Sequence, residues 1–415
     1  MATRIFVGDA TAVAQVNTVT VDSFDVNTTY TFTINGKTVS VAGITDVAAT
    51  AAALEVAFNA STIPEFAEIT ALDDDVDTIT LTADTAGKPF TVTLTVAGGT
   101  GAVTDNGVQT ANDGPEVWSV ANFKDETGDR SVAIPGAGDV VILEDHSGDI
   151  LYSLDQSGAG TWTSLLIRAG FTGKIGLRQQ DTSGVAYDEY RPRYLAADFG
   201  LVDIGEGAGD GSSKIRLEGV GTVSSFIVHR TSSSEDSFAA IEVDGAGQTF
   251  TIVSILAGSV DFARDDATTG ATIGTLVADT TANVRVDENC SVTTVSVQGG
   301  TIQTDVALTT LTIEQGIVTH TGGNIGTANV KGGSLLFANE ASVTVTAVAM
   351  GTGGVLDTLD ASAAITLTNI ALAPGEQIND PDQHFVLSNP ATNPANASLD
   401  QLGLNIGRGF TLLWA

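Results

Sequence analysis

The sequence predicts a mainly β protein in which a small N-terminal α+β domain is followed by a parallel β-helix. Three observations predict this class. The chain has 46 Gly against 9 Pro, it is rich in alternating Thr and Val, and one short apolar motif recurs along its second half. Glycine permits tight corners, and β-branched residues favour strands. We divide the chain into residues 1–113, residues 114–385 and a C-terminal segment, 386–415.

Residues 1–113 carry the signal of a β-hairpin. Apolar and polar residues alternate in Thr29–Ile34, and a second alternating run covers Thr38–Val41. The intervening Asn35 and Gly36 accept the positive φ angles of a type I′ turn, which connects two antiparallel strands.

The same region predicts one helix and two further strands. Thr45 or Asp46 is placed to cap a helix over about 47–60, whose Leu and Phe residues form an apolar stripe. Alternating runs at 78–83 and 90–96 predict the strands. A helix combined with short strands indicates a small α+β domain.

Residues 114–385 repeat the motif apolar-x-x-apolar-x-apolar, followed by Gly and a further apolar residue. Successive copies are Val292, Val295, Val297, Gly300, Ile302; Leu308, Leu311, Ile313, Gly316, Ile317; and Ile325, Ala328, Val330, Gly333, Leu335. Starts at 273, 292, 308, 325, 343 and 365 are separated by 19, 16, 17, 18 and 22 residues. About 17 residues can form three short strands and three corners, stacked about 4.8 Å apart. An antiparallel sandwich is the alternative, but it has no reason to repeat one motif six times.

The charge balance excludes several classes of protein. The chain has 17 Lys+Arg against 50 Asp+Glu, a formal net charge of −33. It therefore lacks the basic stripe that a nucleic-acid-binding protein needs, and anionic membranes are disfavoured. We also expect a soluble chain, because the N-terminus lacks a secretory signal and no stretch reaches the roughly 18 apolar residues of a membrane span.

The titratable residues do not form a catalytic motif. His146, His229, His320 and His384 are far apart and belong to no metal-binding or triad motif. The single cysteine, Cys290, excludes an internal disulfide and fits a reducing compartment. We therefore predict that the protein is not an enzyme and needs no cofactor.

The densest group of carboxylates is Asp73, Asp74, Asp75 and Asp77. Such oxygen-rich clusters bind Ca²⁺ if a loop bends them around the ion. The other interpretation is a solvated turn between two strands. Both interpretations remain open at this point.

Two segments are candidates for contact with another molecule. Tyr187, Tyr190 and Tyr194 lie with Arg191 and Arg193 in one aromatic and basic cluster, and Tyr and Arg are enriched at interface hot spots. An ordinary loop that packs on the flank of the β-helix is the alternative. The apolar C-terminus carries Phe410, Leu412, Leu413 and Trp414. We expect it to pack on a neighbouring subunit or to close the last turn.

The stretch Trp118–Ile142 is rich in aromatic residues at its start and ends in Pro-Gly-Ala-Gly-Asp-Val-Val-Ile. It resembles the start of parallel β-helices in bacterial adhesins and bacteriophage surface proteins. The layout of the whole chain also resembles a phage virion protein. The resemblance implies a homotrimer, assembly in the host cytoplasm, a final location in the virion, and the major capsid protein as a partner.

Together these features predict a non-enzymatic virion protein that decorates or reinforces the capsid. The acidic surface would prevent such projections from sticking to one another or to DNA. One alternative is a tail spike or fibre that binds, and even cleaves, host surface polysaccharide. Another alternative is a bacterial adhesin, which the missing export signal disfavours.

Overall fold

The computed structural model describes residues 2–177, 191, 193–234, 239–245, 247–262, 270–358, 360–373, 375–388 and 405–406. Within these residues the protein is mainly β, with a long sheet of parallel strands and two small antiparallel sheets. The β-rich class predicted from the sequence is therefore confirmed.

The N-terminal part contains eight strands and two helices. They are β1 (Thr3–Phe6), β2 (Val16–Ser23), β3 (Thr29–Ile34), β4 (Lys37–Ala42), α1 (Val47–Asn59), α2 (Pro64–Ala67), β5 (Ile69–Asp73), β6 (Thr78–Ala83), β7 (Thr93–Ala97) and β8 (Ala102–Thr110). One antiparallel sheet has the strand order β5-β6-β2-β8, and the other has the order β4-β3-β7. The apolar face of α1 packs on these strands and completes a small core.

The predicted hairpin and helix cap are confirmed. Asn35 and Gly36 have φ angles of 46° and 74° and connect β3 to β4. The Asp46 carboxylate accepts a hydrogen bond of 2.8 Å from the Ala49 amide, which fixes the start of α1. Strand β7 begins at Thr93, three residues later than the alternating run predicts.

The rest of the chain consists of short strands and corners. The strands are β9 (Phe123–Lys124), β10 (Val140–Leu143), β11 (Ser164–Arg168), β12 (Leu195–Ala196), β13 (Leu201–Glu206), β14 (Ile215–Glu218), β15 (Thr222–Val228), β16 (Ile241–Asp244), β17 (Thr249–Phe262), β18 (Thr272–Val286), β19 (Ser291–Val297), β20 (Thr301–Thr304), β21 (Leu308–Ile313), β22 (Ile317–His320), β23 (Ile325–Val330), β24 (Ser334–Phe337), β25 (Val343–Met350), β26 (Val355–Asp357), β27 (Ile365–Ala371), β28 (Gln377–Asn379), β29 (Phe385–Leu387) and β30 (Asn405–Ile406). One 3₁₀ turn, Val120–Asn122, precedes β9, and another, Ser157–Ala159, lies between β10 and β11.

The parallel strands form two ladders. Ladder A joins β1, β10, β11, β13, β15, the first halves of β17 and β18, and then β19, β21, β23, β25, β27 and β29. Ladder B joins β12, β14, β16, the second halves of β17 and β18, and then β20, β22, β24, β26, β28 and β30. The two alternate along the chain from β12 onward. We call one strand of ladder A with the following strand of ladder B a layer.

The position of β1 corrects one expectation from the sequence. Residues 3–6 pair in parallel with β10 and in antiparallel with β9, so the first strand lies in the long sheet and not in the α+β part. Phe6 packs there on Trp118 and Phe123, with ring centroids 5.9 and 5.5 Å away. The partner strand is more than 130 residues away in sequence, which is why the local pattern did not reveal it. The division near residue 113 otherwise stays a prediction.

The inward columns follow the recurring motif. Val295 pairs with Leu311, and Leu311 pairs with Ala328, so equivalent motif positions stack on one another and are buried. Together the inward residues of both ladders form one continuous hydrophobic core. Successive layers therefore share a single interior.

The register corrects the motif at three positions. Val318 is buried whereas Ile317 is 40% exposed, because side chains alternate and the inward position lies two residues after the corner glycine. Ile325 pairs with Val345, and Val345 pairs with Leu367. The last two motif copies therefore start at residues 345 and 367 and not at 343 and 365. A shift of two residues keeps the same face inward, so the wrong starts still named buried residues.

An aromatic cluster closes the start of this core. The indoles of Trp118 and Trp162 stack with centroids 5.5 Å apart and planes 5° apart, and Phe199 packs edge-on against Trp162. The buried Asn122 side chain donates hydrogen bonds of 2.7 Å to the carbonyls of Gly114 and Val117. The lead-in that resembles the start of known β-helices is thus held by stacking and by a buried amide.

Candidate functional sites at the junction and on the sheet faces

Arg191 joins the N-terminal part to the long sheet. Its Nε donates a 2.7 Å hydrogen bond to the Pro89 carbonyl, and its guanidinium also donates to the Glu68 carboxylate. The same guanidinium lies 6.0 Å from the centre of the Tyr152 ring. Burial opposes ionisation of Glu68, but hydrogen bonds from Lys88 and Arg191 outweigh it and lower the pKa of Glu68. Arg191 therefore links elements that are far apart in sequence.

A cavity of about 450 Å³ lies beside this link. Phe90 and Asn35 line it from the N-terminal part, and Tyr152, Asp155 and Arg191 line it from the other side. Hydrogen bonds from Ser157 lower the pKa of Asp155, so its carboxylate is ionised at neutral pH. The cavity thus combines aromatic surface with hydrogen-bonding groups of both signs.

The other predicted contact residues fall in two groups. Arg193 lies with its guanidinium 5.0 Å from the centre of the Tyr194 ring, and Tyr194 is buried. Tyr187, Tyr190, Phe410, Leu412, Leu413 and Trp414 lie outside the described residues. An intermolecular role for either segment stays a prediction, although Arg191 is already engaged within the chain.

The four histidines occupy four different places along the long sheet. His146 follows β10 and lies between the rings of Phe6 and Phe171. His229 follows β15, with its Nε2 3.3 Å from an Asp203 carboxylate oxygen. His320 lies inside the core in β22, and His384 precedes β29.

His320 and Cys290 are both buried, which determines their protonation. His320 Nε2 lies 2.9 Å from the Gly323 carbonyl, and burial lowers the pKa of His320. The Cys290 side chain is 8% exposed, its thiol lies 3.7 Å from the Phe262 carbonyl, and burial raises its pKa to about 11. Both groups are therefore uncharged at neutral pH. A thiol in that state is a poor nucleophile and a poor metal ligand.

The aspartate cluster forms a hydrogen-bonded turn between β5 and β6. One Asp74 carboxylate oxygen accepts the amide N–H groups of Val76, Asp77 and Thr78 at 2.9 to 3.0 Å. These bonds lower the pKa of Asp74, whereas burial and the neighbouring carboxylates raise the pKa of Asp73. No group of three or more His, Cys, Asp or Glu residues that could hold a metal ion is found in the described part of the chain.

The outer face of ladder B carries charges in register. Arg216 Nε lies 2.8 Å from a Glu242 carboxylate oxygen, and the two side chains are only 4% and 5% exposed. Asp261 and Arg285 continue the same column on the next two strands. Loss of either partner of the buried Arg216 and Glu242 pair would therefore leave an uncompensated charge between neighbouring layers.

The outer face of ladder A differs. Its first column consists of Ser225, Ile252, Thr275, Thr294, Thr310, Thr327, Ala347 and Asn369, and its second consists of Ile227, Ser254, Val277, Ser296, Thr312, Asn329, Ala349 and Ala371. None of these residues is charged. We call these two columns the uncharged face. A charged pair, Glu314 with Lys331 at 2.6 Å, lies at one border of it.

The sequence did contain the signal for this face. The outward residues are the third and fifth positions of the motif, such as Thr294 and Ser296 in the copy that starts at Val292. The motif leaves these two positions unspecified, because it was defined by its apolar residues alone. Aligning them across copies depends on the register, which the structure supplies.

Comparison of the chain with models of known protein families and with curated protein sequences finds no match. Within the described ranges, no helix is both long and apolar enough to cross a membrane. Function is therefore inferred from the arrangement of residues described above.

Proposed function

We propose that the protein is a non-enzymatic structural component in which residues 114–385 coil as a parallel β-helix. The observation that carries this proposal is the continuous register of ladders A and B. Equivalent motif positions pair from layer to layer, as Val295, Leu311 and Ala328 do. A coil of repeating turns accounts for this register, whereas two facing antiparallel sheets would not produce it.

Such a coil makes a stiff shaft. Backbone hydrogen bonds join each strand to the next layer, and the shared core ties the layers together. The 13 strands of ladder A extend about 58 Å at about 4.8 Å per strand. Because each layer rests on its neighbours, the shaft resists bending and local unfolding.

The non-enzymatic role is supported by the structural contacts that potentially reactive side chains make. Cys290 is protonated at neutral pH, and His320 is neutral and bonded to a backbone carbonyl inside the core. Arg191 and Glu68 hold two parts of the chain together. These groups serve the fold, which is the pattern expected of a scaffold.

We assign this shaft to the surface of a bacteriophage head, as a homotrimer bound to the major capsid protein. The resemblance of Trp118–Ile142 to the start of phage and adhesin β-helices supports this assignment. The net charge of −33 supports it as well, because an acidic projection is repelled by DNA and by its neighbours. The N-terminal α+β part is the element that would bury surface against the capsid.

Immunogold electron microscopy of purified particles tests the assignment. Antibodies raised against the recombinant chain should label heads, and they should give no label on particles from a deletion strain. Label confined to tails would overturn the capsid role in favour of a tail spike or fibre. Unlabelled wild-type particles would refute a virion role altogether.

Glycan binding is the second candidate, and the junction cavity favours it. Tyr152 offers an aromatic surface and Asp155 an ionised acceptor, which together suit a sugar ring. Isothermal titration with host surface polysaccharide should then show binding that Tyr152→Ala abolishes. Tyr30→Phe, which alters a buried ring of the N-terminal core outside the cavity lining, is the matched control. Equal binding by the wild type and Tyr152→Ala would exclude this site.

A further inference from the structure

We propose that the uncharged face of ladder A is the surface on which a second copy of this chain packs. This inference deepens the proposed oligomeric shaft, on which it rests, by naming the surface through which the copies meet. Tyr190 and Trp414 stay predicted contact residues as well, because they lie outside the described residues.

The charge distribution singles out this face. A formal charge of −33 makes two copies repel each other at most orientations. Sixteen outward positions on eight consecutive strands of ladder A are uncharged, whereas the uncharged outward positions of ladder B cover only β20, β22 and β24, between Arg285 and Asp357. Contact through the uncharged face buries no unpaired carboxylate, which would cost several kcal/mol. Two copies therefore meet most favourably through this face.

The dimensions of the face suit a small interface. Eight strands about 4.8 Å apart extend about 34 Å, and the two columns, which occupy about four residues of each strand, cover about 13 Å in width. The area is then roughly 450 Å² on each copy, or roughly 900 Å² for the pair, which is the size of a weak, reversible interface. Most of the side chains are small, so two such faces can approach closely.

The side chains of this face can pair with the same side chains on a second copy. Thr275, Thr294 and Thr310 present hydroxyl groups that both donate and accept hydrogen bonds, together with a methyl group for apolar contact. Ile252, at 45% exposure, adds a large apolar side chain that solvent otherwise contacts. The Lys331 and Glu314 pair at the border corresponds to the polar rim of protein interfaces.

A single added charge tests the proposal. Thr310→Glu places a carboxylate at the centre of the uncharged face, and Thr319→Glu places one on the outer face of ladder B in the same layer. Both residues are half-buried strand positions, so the two variants add the same charge at similar cost to the fold. Thr310→Ser keeps the hydroxyl and serves as the conservative variant. Thermal unfolding checks that all three variants remain folded.

Sedimentation velocity of the full chain is the measurement. The wild type, Thr310→Ser and Thr319→Glu should be oligomeric, and the association should strengthen as salt screens the net charge. Thr310→Glu should weaken the association at least tenfold. A monomeric wild type would overturn the proposal, even if the face then bound a polysaccharide or another protein. Equal association of Thr310→Glu and Thr319→Glu would overturn it too.

The failure of this inference is distinguishable from failure of the proposed function. An oligomeric wild type that Thr310→Glu leaves intact refutes the surface while the shaft and its virion location stand. Loss of association in Thr310→Glu combined with unlabelled phage particles refutes the location while the surface stands.

Discussion

The N-terminal part and the long sheet use the same Thr- and Val-rich composition to build two different kinds of core. In the N-terminal part, β3 turns back through Asn35 and Gly36 onto β4, and α1 covers the strands. In the long sheet, Leu311 lies between Val295 and Ala328, which are 16 and 17 residues away. The first core closes on itself, whereas the second continues from layer to layer.

This difference shows why the two cores need different ends. A core built from hairpins and a helix has a fixed size and needs no additional closure. A core that extends by layers exposes apolar side chains wherever it stops. Phe6, Trp118 and Phe123 pack on one another at the first end of the long core. Arg191 joins the two parts through its hydrogen bonds to Pro89 and Glu68, so we expect it to couple their unfolding.

Among the variants considered, those that remove one phenyl ring from either core should lower the free energy of unfolding most. Phe226→Ala should cost about 3–5 kcal/mol, because it leaves a cavity beside Phe250 in the long core. Tryptophan fluorescence follows this core when the proteins compared also carry Trp414→Phe, because the other two tryptophans, Trp118 and Trp162, both lie in it. Phe32→Ala, in the small core, should cost a similar amount but shift the midpoint of the fluorescence transition less than Phe226→Ala does. Equal shifts of that midpoint in the two variants would mean that the two cores unfold as one.

The cost of breaking a charged pair in the long sheet should depend on how deeply the pair is buried. Arg216→Ala leaves the buried Glu242 without its principal charged neighbour and should cost about 3 kcal/mol in the free energy of unfolding. Lys331→Ala breaks the half-exposed pair with Glu314 and should cost less than about 1 kcal/mol. Urea unfolding followed by fluorescence measures both values. Equal costs would contradict the difference in burial between these two pairs.

The junction sets how far the two cores are coupled. Arg191→Ala removes hydrogen bonds to Glu68 and Pro89 and should reduce the stability of the junction by about 1–3 kcal/mol. We expect the far-ultraviolet circular dichroism and fluorescence transitions to move apart in this variant. Arg193→Ala, which loses a contact with the Tyr194 ring, is the control and should keep them closer together. Unchanged separation in Arg191→Ala would show that other contacts hold the junction.

His320 should add a pH dependence to the long core. Burial lowers its pKa, so the unfolded chain binds a proton more tightly than the folded chain does. The stabilisation is therefore complete above the unfolded pKa of about 6.5 and decreases as the pH falls below it. Urea midpoints at pH 8 and pH 5 should differ less in His320→Leu than in the wild type, by about 1 kcal/mol in stability. The same pH dependence in both proteins would place the titration elsewhere.

Local patterns were sufficient for the local elements. The Asn35 and Gly36 turn, the Asp46 cap and the inward Val295 and Leu311 all depend on residues close together in sequence. The recurring motif also predicted parallel strands before any register was known. These features are set by backbone geometry and by the alternation of side chains.

Features that depend on distant partners were missed. The first strand, Thr3–Phe6, is paired with residues 140–143, and no local pattern predicts that pairing. Arg191 was recognised as a contact residue, but its partner Glu68 is 123 residues away. The uncharged face depends on the register between layers, since Thr294 and Thr310 become neighbours only when their strands pair.

Cys290 is a native probe of local opening in this protein. It is the only cysteine, it lies at a corner between two layers, and burial keeps its sulfur protonated. Alkylating reagents attack the thiolate, so they modify the chain only during moments when that corner has opened. The rate at which Cys290 is labelled under native conditions therefore reports how often this corner opens, and no probe has to be introduced.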